Sequence, residues 1–212
     1  MKAYLVKFAV IFYIIFTSAV LTAEDAKAQN YDNAQKVEKF LTELYSQPET
    51  IKKVVGMFRV SPDKEAILSE YFMDIFSNTE FIKVMSREVV AQGVLEKSKA
   101  QGNKSAYPLG MAFGHQFVTK LSIDGMKRLS DERMLEYINL TGKFFDWIEP
   151  KNCRALMGAS SQQKDEIEAS FVAIRNMGAS ELRALFSLNK DAITAELNDW
   201  PSVATLNDYE TK

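Results

Sequence analysis

Apolar side chains recur every three or four residues in one segment of this chain after another. That spacing places them on one face of a helix, because an α-helix has about 3.6 residues per turn. The clearest such face comprises Ile67, Leu68, Tyr71, Phe72, Ile75 and Phe76. Alternation over four or more residues around a hairpin turn, which would indicate strands, does not occur. The sequence therefore predicts an all-α fold, an irregular or orthogonal bundle of about eight helices.

The N-terminus has the pattern of an export signal. Lys2 and Lys7 precede an apolar run over 8–21, and small residues ending at Ala28 form an A-x-A cleavage pattern. A membrane anchor is the competing interpretation, but the run over 8–23 reaches about 24 Å, short of a hydrocarbon core of about 30 Å. We predict a cleaved signal peptide at 1–28, a single all-helical domain at 29–212, and a periplasmic or secreted protein without a permanent membrane span.

Charge and cysteine usage narrow the choice of partners. The chain carries a formal charge of −2, and cleavage at Ala28 removes three lysines and two acidic residues, which leaves −3. No cluster of Lys and Arg is interleaved with aromatic residues, so the sequence does not predict a nucleic-acid partner. With one Cys in the chain, an internal disulfide is impossible. Stability must therefore come from packing.

The segment over 107–126 is predicted to be the central helix, opened by Pro108, whose missing N–H is harmless in a first turn. Gly110 and Gly114 lie one turn apart. Because glycine inside a helix costs about 1 kcal/mol against Ala, this pair predicts the close approach of a neighbouring backbone. The next helix, over 130–148, is expected to pack on it as a hairpin through the face Met134, Ile138, Thr141, Phe145 and Ile148.

Capping and turn residues predict the other boundaries. Pro48 and Pro62 can each open a helix, with Ser61 as a cap, and Asn78 or Thr79 caps a helix whose apolar spacing continues to Leu95. Further boundaries are a loop at Ser98–Ala106, rich in Lys, Gly, Asn and Ser, a capping box at Ser160–Gln163 and a C-terminal cap at Gly178.

His115 and Cys153 are the candidate catalytic residues, since a thiolate nucleophile needs a nearby base. No local signature surrounds either residue, which favours a structural role for both, with His115 packed or hydrogen-bonded on the central helix and Cys153 a small buried hydrophobic residue. One His and one Cys fall short of the usual zinc ligands, and no phosphate loop or dinucleotide fingerprint is present. We predict no metal, no cofactor and no enzymatic activity.

Three hypotheses for function follow. The first is an exported, non-catalytic protein that binds another protein as an inhibitor, immunity protein or chaperone-like factor, with the predicted loop at Ser98–Ala106 as a recognition surface. The alternative is a carrier of a lipid or other hydrophobic ligand between its helices, because the chain is rich in Phe and Met. The third is a hydrolase that uses Cys153 and His115.

Overall fold

A computed structural model of the protein describes residues 30–101, 103–144, 146, 148 and 163–201. Within these residues the chain forms a bundle of nine α-helices and no strand, which confirms the all-α prediction. The predicted signal peptide at 1–28, Cys153 and the start of the predicted capping box at Ser160 lie outside them. The helices are α1 Asn30–Tyr45, α2 Pro48–Gly56, α3 Pro62–Phe76, α4 Thr79–Ala91, α5 Val94–Gln101, α6 Asn103–Met126, α7 Asp131–Phe144, α8 Gln163–Asn176 and α9 Ala179–Leu197.

The apolar face predicted for α3 is its buried face. All six residues of the 67–76 pattern are buried, and no other α3 residue is. Phe72 is fully enclosed, and its ring packs at 5.7 Å from that of Phe58 and at 5.8 Å from that of Phe76. The ring of Phe76 also stacks on that of Tyr45 from α1, at 3.8 Å. The aromatic rings of α3 thus join α1 and the turn after α2 in one core.

Two predicted helix starts are set by local chemistry. Pro62 occupies the first turn of α3 and Ser61 is its cap, with the Ser61 carbonyl accepting the Lys64 N–H at 3.0 Å. Asn78 caps α4, because its Oδ1 accepts the N–H of Phe81 at 3.1 Å. Each bond satisfies a donor that a helix N-terminus leaves open, which confirms both predicted positions.

The connection after α4 differs from the prediction. Gly93 has a φ of +60°, in the left-handed region that glycine adopts without strain, and its N–H bonds the carbonyl of Val90 at 3.0 Å. The helix predicted to continue to Leu95 therefore ends at Ala91, and a separate helix, α5, starts at Val94. This break gives the bundle one helix more than the eight expected.

The loop predicted at Ser98–Ala106 is wrong. These residues belong to the end of α5 and the start of α6, apart from residue 102, which the structure does not describe. Pro108 accordingly lies inside α6 rather than at its start, five residues beyond Asn103. The polar composition that indicated a loop is equally compatible with solvated helix ends, where Lys and Ser cost little.

Helix α9 occupies the centre of the described bundle. It packs on α6, α3, α7 and α4. Its buried residues are Leu182, Leu185, Phe186, Leu188, Asn189, Ala192 and Ile193. Gly178, predicted as the C-terminal cap of the preceding helix, has an extended backbone and stands instead as the N-cap of α9.

The main partner of α6 is α9 rather than α7, so the predicted hairpin of 107–126 with 130–148 is wrong. Gly110 and Gly114 are buried, and the close backbone approach expected at this pair stays a prediction. A close approach does occur further along α6, because a Cβ built on Gly125 would overlap the carbonyl oxygen of Ala192 on α9. Gly125, three turns beyond Gly114, thus limits how near the two helices can stand at this point.

Within the described residues, no helix combines the length and the apolar character needed to cross a membrane.

We expect Gly125→Ala to lower the free energy of unfolding by about 1–3 kcal/mol, since the new methyl group forces α6 and α9 apart. Gly142→Ala is the matched control, because Gly142 is an exposed helical glycine with nothing within 4 Å of an added Cβ. The control should raise stability by up to about 1 kcal/mol. Urea unfolding measures both variants, and equal effects would contradict the close α6–α9 contact.

Candidate functional site

His115 lies on α6 and is only 7% exposed. Its imidazole is therefore largely closed to solvent in this conformation. Cys153 lies outside the described residues, so the predicted pairing of Cys153 with His115 stays a prediction. Among the described residues, no group of three or more His, Cys, Asp or Glu side chains is placed to hold a metal ion.

The most distinctive surface of the described bundle is the outward face of α7. Leu135 and Ile138 are 61% and 55% exposed, although aliphatic residues of this size are usually buried. Gly142 is exposed on the same side, one turn further along, with open space around it. Spacings of three and four residues place the three residues on one face. We call Leu135, Ile138 and Gly142 the outer stripe of α7.

A groove of about 380 Å³ lies beside this stripe. Leu135 contributes to both, so the exposed aliphatic surface continues into the groove. The groove combines apolar side chains with charged ones and an amide, and its lining residues are Glu132, Leu135, Glu136, Asn139, Leu140 and Lys143. An apolar surface with a polar rim is the usual composition of a protein-binding patch.

The opposite side of α7 determines which face points outward. Tyr137 is 4% exposed, and burial raises the pKa of its hydroxyl. Arg133 forms an ion pair with Asp191 of α9 and donates to Ser187 Oγ at 3.2 Å. These contacts attach α7 to α9 through the face that carries Tyr137. The predicted inward position of Ile138 is therefore wrong, whereas Met134 and Ile148 do pack inward.

The two ends of the outward face carry opposite charge. Asp131 and Glu132 stand exposed in the first turn of α7, and Lys143 stands exposed in its last turn. This order also suits the helix dipole, which favours negative charge at the N-terminus and positive charge at the C-terminus. The face nevertheless presents an acidic end, an apolar middle and a basic end to any molecule that meets it.

A second groove, of about 230 Å³, runs between α3 and α9. Its charged groups already bind each other, because Arg183 pairs with Glu70 at 2.9 Å and Lys190 with Asp74 at 2.6 Å. A ligand there would have to replace these ion pairs. The groove on α7 also contains a paired carboxylate, because Glu136 binds Arg133 at 2.5 Å, but it adjoins the exposed aliphatic side chains of the outer stripe.

No family model matches this chain, and no curated protein or solved structure is significantly similar to it. Function must therefore be argued from the geometry of these residues.

We expect Arg133→Met to loosen α7, because the substitution removes its ion pair with Asp191. Hydrogen exchange should show faster exchange of α7 amides than in the unmodified protein, with a loss of stability of at most about 1 kcal/mol for such half-exposed groups. Lys39→Met is the control, since its pair with Glu43 spans 4.0 Å and is highly exposed. Unchanged α7 exchange in Arg133→Met would contradict this attachment.

The charge of Lys143 should be detectable through its effect on the pKa of Glu181 on α9. The hydroxyl of Ser180 lowers the pKa of Glu181, and the charge of Lys143 lowers it further. A lowered folded pKa stabilises the protein above the unfolded pKa, and this contribution is lost as pH falls through the folded value. In an NMR titration, Ser180→Ala should raise the Glu181 pKa more than Lys143→Met does, and no rise in either variant would contradict the placement.

Proposed function

We propose that the protein binds another protein through the outer stripe of α7 and the adjoining groove. One observation carries the proposal: two large aliphatic residues three positions apart stay more than half exposed on a helix whose other face is anchored. Isolated exposed aliphatic residues are normal, but a continuous exposed patch beside a groove is typical of an interaction site.

The energetics suit a small set of anchoring contacts. Full burial of an exposed Leu or Ile side chain contributes about 1.5–3 kcal/mol, and only the exposed part of Leu135 and Ile138, somewhat more than half of each, remains to be buried, so together they can supply roughly 2–3 kcal/mol. Gly142 adds no side chain at the end of the stripe, and a partner backbone can therefore approach α7 closely there. Because α7 is held on α9, binding does not require this helix to become ordered first.

The chemistry of the face defines the partner we propose. Exposed aliphatic residues at helical spacing fit the apolar face of an amphipathic helix laid along α7. Charge complementarity requires a basic residue of that helix beside Asp131 and Glu132, and an acidic residue beside Lys143.

Because the sequence predicts a signal peptide, we propose that this interaction occurs outside the cytoplasm, in the periplasm or the medium. An inhibitor, an immunity protein or a chaperone-like factor would each use such a face without any catalytic residue. Since Ser98–Ala106 is helical apart from residue 102, it does not supply the recognition loop that the sequence suggested. Support for protein binding therefore comes from α7 alone.

Site-specific photo-crosslinking tests the proposal in the native compartment. A photoreactive amino acid at Leu135 should give an adduct with one protein, and Ile138→Glu in the same chain should abolish it. The same amino acid at Glu65, an exposed position on α3, should not give this adduct. A lipid adduct at Leu135 would contradict the proposal and favour the carrier hypothesis.

Binding of the purified captured protein provides the quantitative test. Ile138→Glu should weaken binding at least tenfold, which corresponds to about 1.4 kcal/mol, because it places a charge in an apolar contact. Met73→Glu is the matched control, since Met73 is 53% exposed on α3 and receives the same charge. Equal affinities of the two variants would overturn the proposal.

A further inference from the structure

Helices α6 and α9 run in the same direction where they touch. Three contacts advance together along the two segments: Ser122 with Asn189, the approach of Gly125 to Ala192, and Arg128, two residues after the end of α6, with Glu196 at 2.8 Å. A shift of either helix by one turn would break all three contacts. The pairing of Ser122 with Asn189 is the one buried polar contact among them, since both residues are 1% exposed.

This polar contact leaves hydrogen-bonding capacity unused inside the core. Ser122 Oγ donates to Asn189 Oδ1 at 2.7 Å. Asn189 Nδ2 and Thr119 Oγ1 are buried, and neither has a hydrogen-bond partner among the described residues. Thr119 precedes Ser122 by three positions, so both hydroxyls lie on the same side of α6. Buried polar groups in native proteins are nearly always satisfied, which requires a partner for both atoms.

Helix geometry predicts that these two atoms face a common region. Side chains on a helix lean toward its N-terminus, so the amide of Asn189 is expected to extend from its own position toward the level of Thr119. Packed helices diverge on either side of a close approach such as that at Gly125. Thr119 lies almost two turns before Gly125, where this divergence is expected to leave room for a small molecule.

We propose that one buried water molecule binds between α6 and α9 and bridges Asn189 Nδ2 to Thr119 Oγ1. The water accepts a hydrogen bond from the Asn189 Nδ2–H group and donates one to Thr119 Oγ1. It can donate its remaining hydrogen to Ser122 Oγ, whose own hydrogen is used on Asn189 Oδ1. Three hydrogen bonds are typical for a buried water, and these neutral groups favour water over an ion.

The site accounts for a role of Asn189 beyond packing. A buried amide that is satisfied in a single alignment penalises every other alignment, as polar residues do inside coiled coils. The water therefore helps to define the register of α6 against α9. This role is independent of partner binding at α7.

A high-resolution crystal structure of the protein tests the proposal. We expect an ordered water within about 2.7–3.2 Å of both Asn189 Nδ2 and Thr119 Oγ1. A direct bond from Asn189 Nδ2 to a protein oxygen, or no water at this position, would overturn it.

Solution NMR provides a second measurement. The Asn189 side-chain amide protons should show a cross-peak to water that is lost in Thr119→Val. Ser86→Ala is the control, because the buried Ser86 hydroxyl bonds the Ile82 carbonyl at 2.7 Å and removing it should leave that cross-peak unchanged. Persistence of the cross-peak in Thr119→Val at full intensity would contradict the bridging position.

Discussion

The direct backbone contact between α6 and α9 is the constraint on which the rest of the described bundle depends. Because Gly125 has no side chain, the carbonyl of Ala192 can lie where a Cβ would otherwise stand. Helix α9 is thereby held against α6 and also packs on α3 and α7. Ion pairs at its surface fix these neighbours, with Arg183 and Lys190 reaching α3 and Asp191 reaching α7.

The exposure of the α7 face follows from this arrangement. Arg133 and Tyr137 contact the bundle, so the positions on the opposite side of the helix must face solvent. Leu135 and Ile138 occupy those positions, and their exposure cannot be relieved by rotating α7 without burying charge. A fixed helix with an aliphatic outer surface is suited to receive another helix, and this is the physical basis of the proposed interaction.

Local patterns in the sequence predicted the parts of the fold that local physics determines. The buried face of α3 and the caps at Ser61 and Asn78 depend on neighbouring residues, and each was predicted correctly. Long-range contacts decided the failures. The helix after α6 was expected to be its hairpin partner, but the main partner of α6 is α9, which begins more than fifty residues further along the chain.

The exposed face of α7 was missed for a similar reason. The three- and four-residue spacing of Met134, Ile138 and Thr141 predicted that Ile138 points inward, but the same helix can instead bury the face that carries Tyr137. The attachment of Arg133 to Asp191 decides in favour of Tyr137, and a single sequence gives no sign of that pairing. If Tyr137 is assigned to the buried face, Leu135 and Ile138 both fall outside it. Two large aliphatic residues on the outward side of a helix are the sequence signal for this exposed surface.

The most direct test of this account is a nuclear Overhauser measurement on isotope-labelled protein. Cross-peaks between the Hα protons of Gly125 and protons of Ala192 should be strong, accompanied by cross-peaks between Ser122 and Asn189. A network of cross-peaks joining the length of α6 to α7, with none from Gly125 to Ala192, would contradict it.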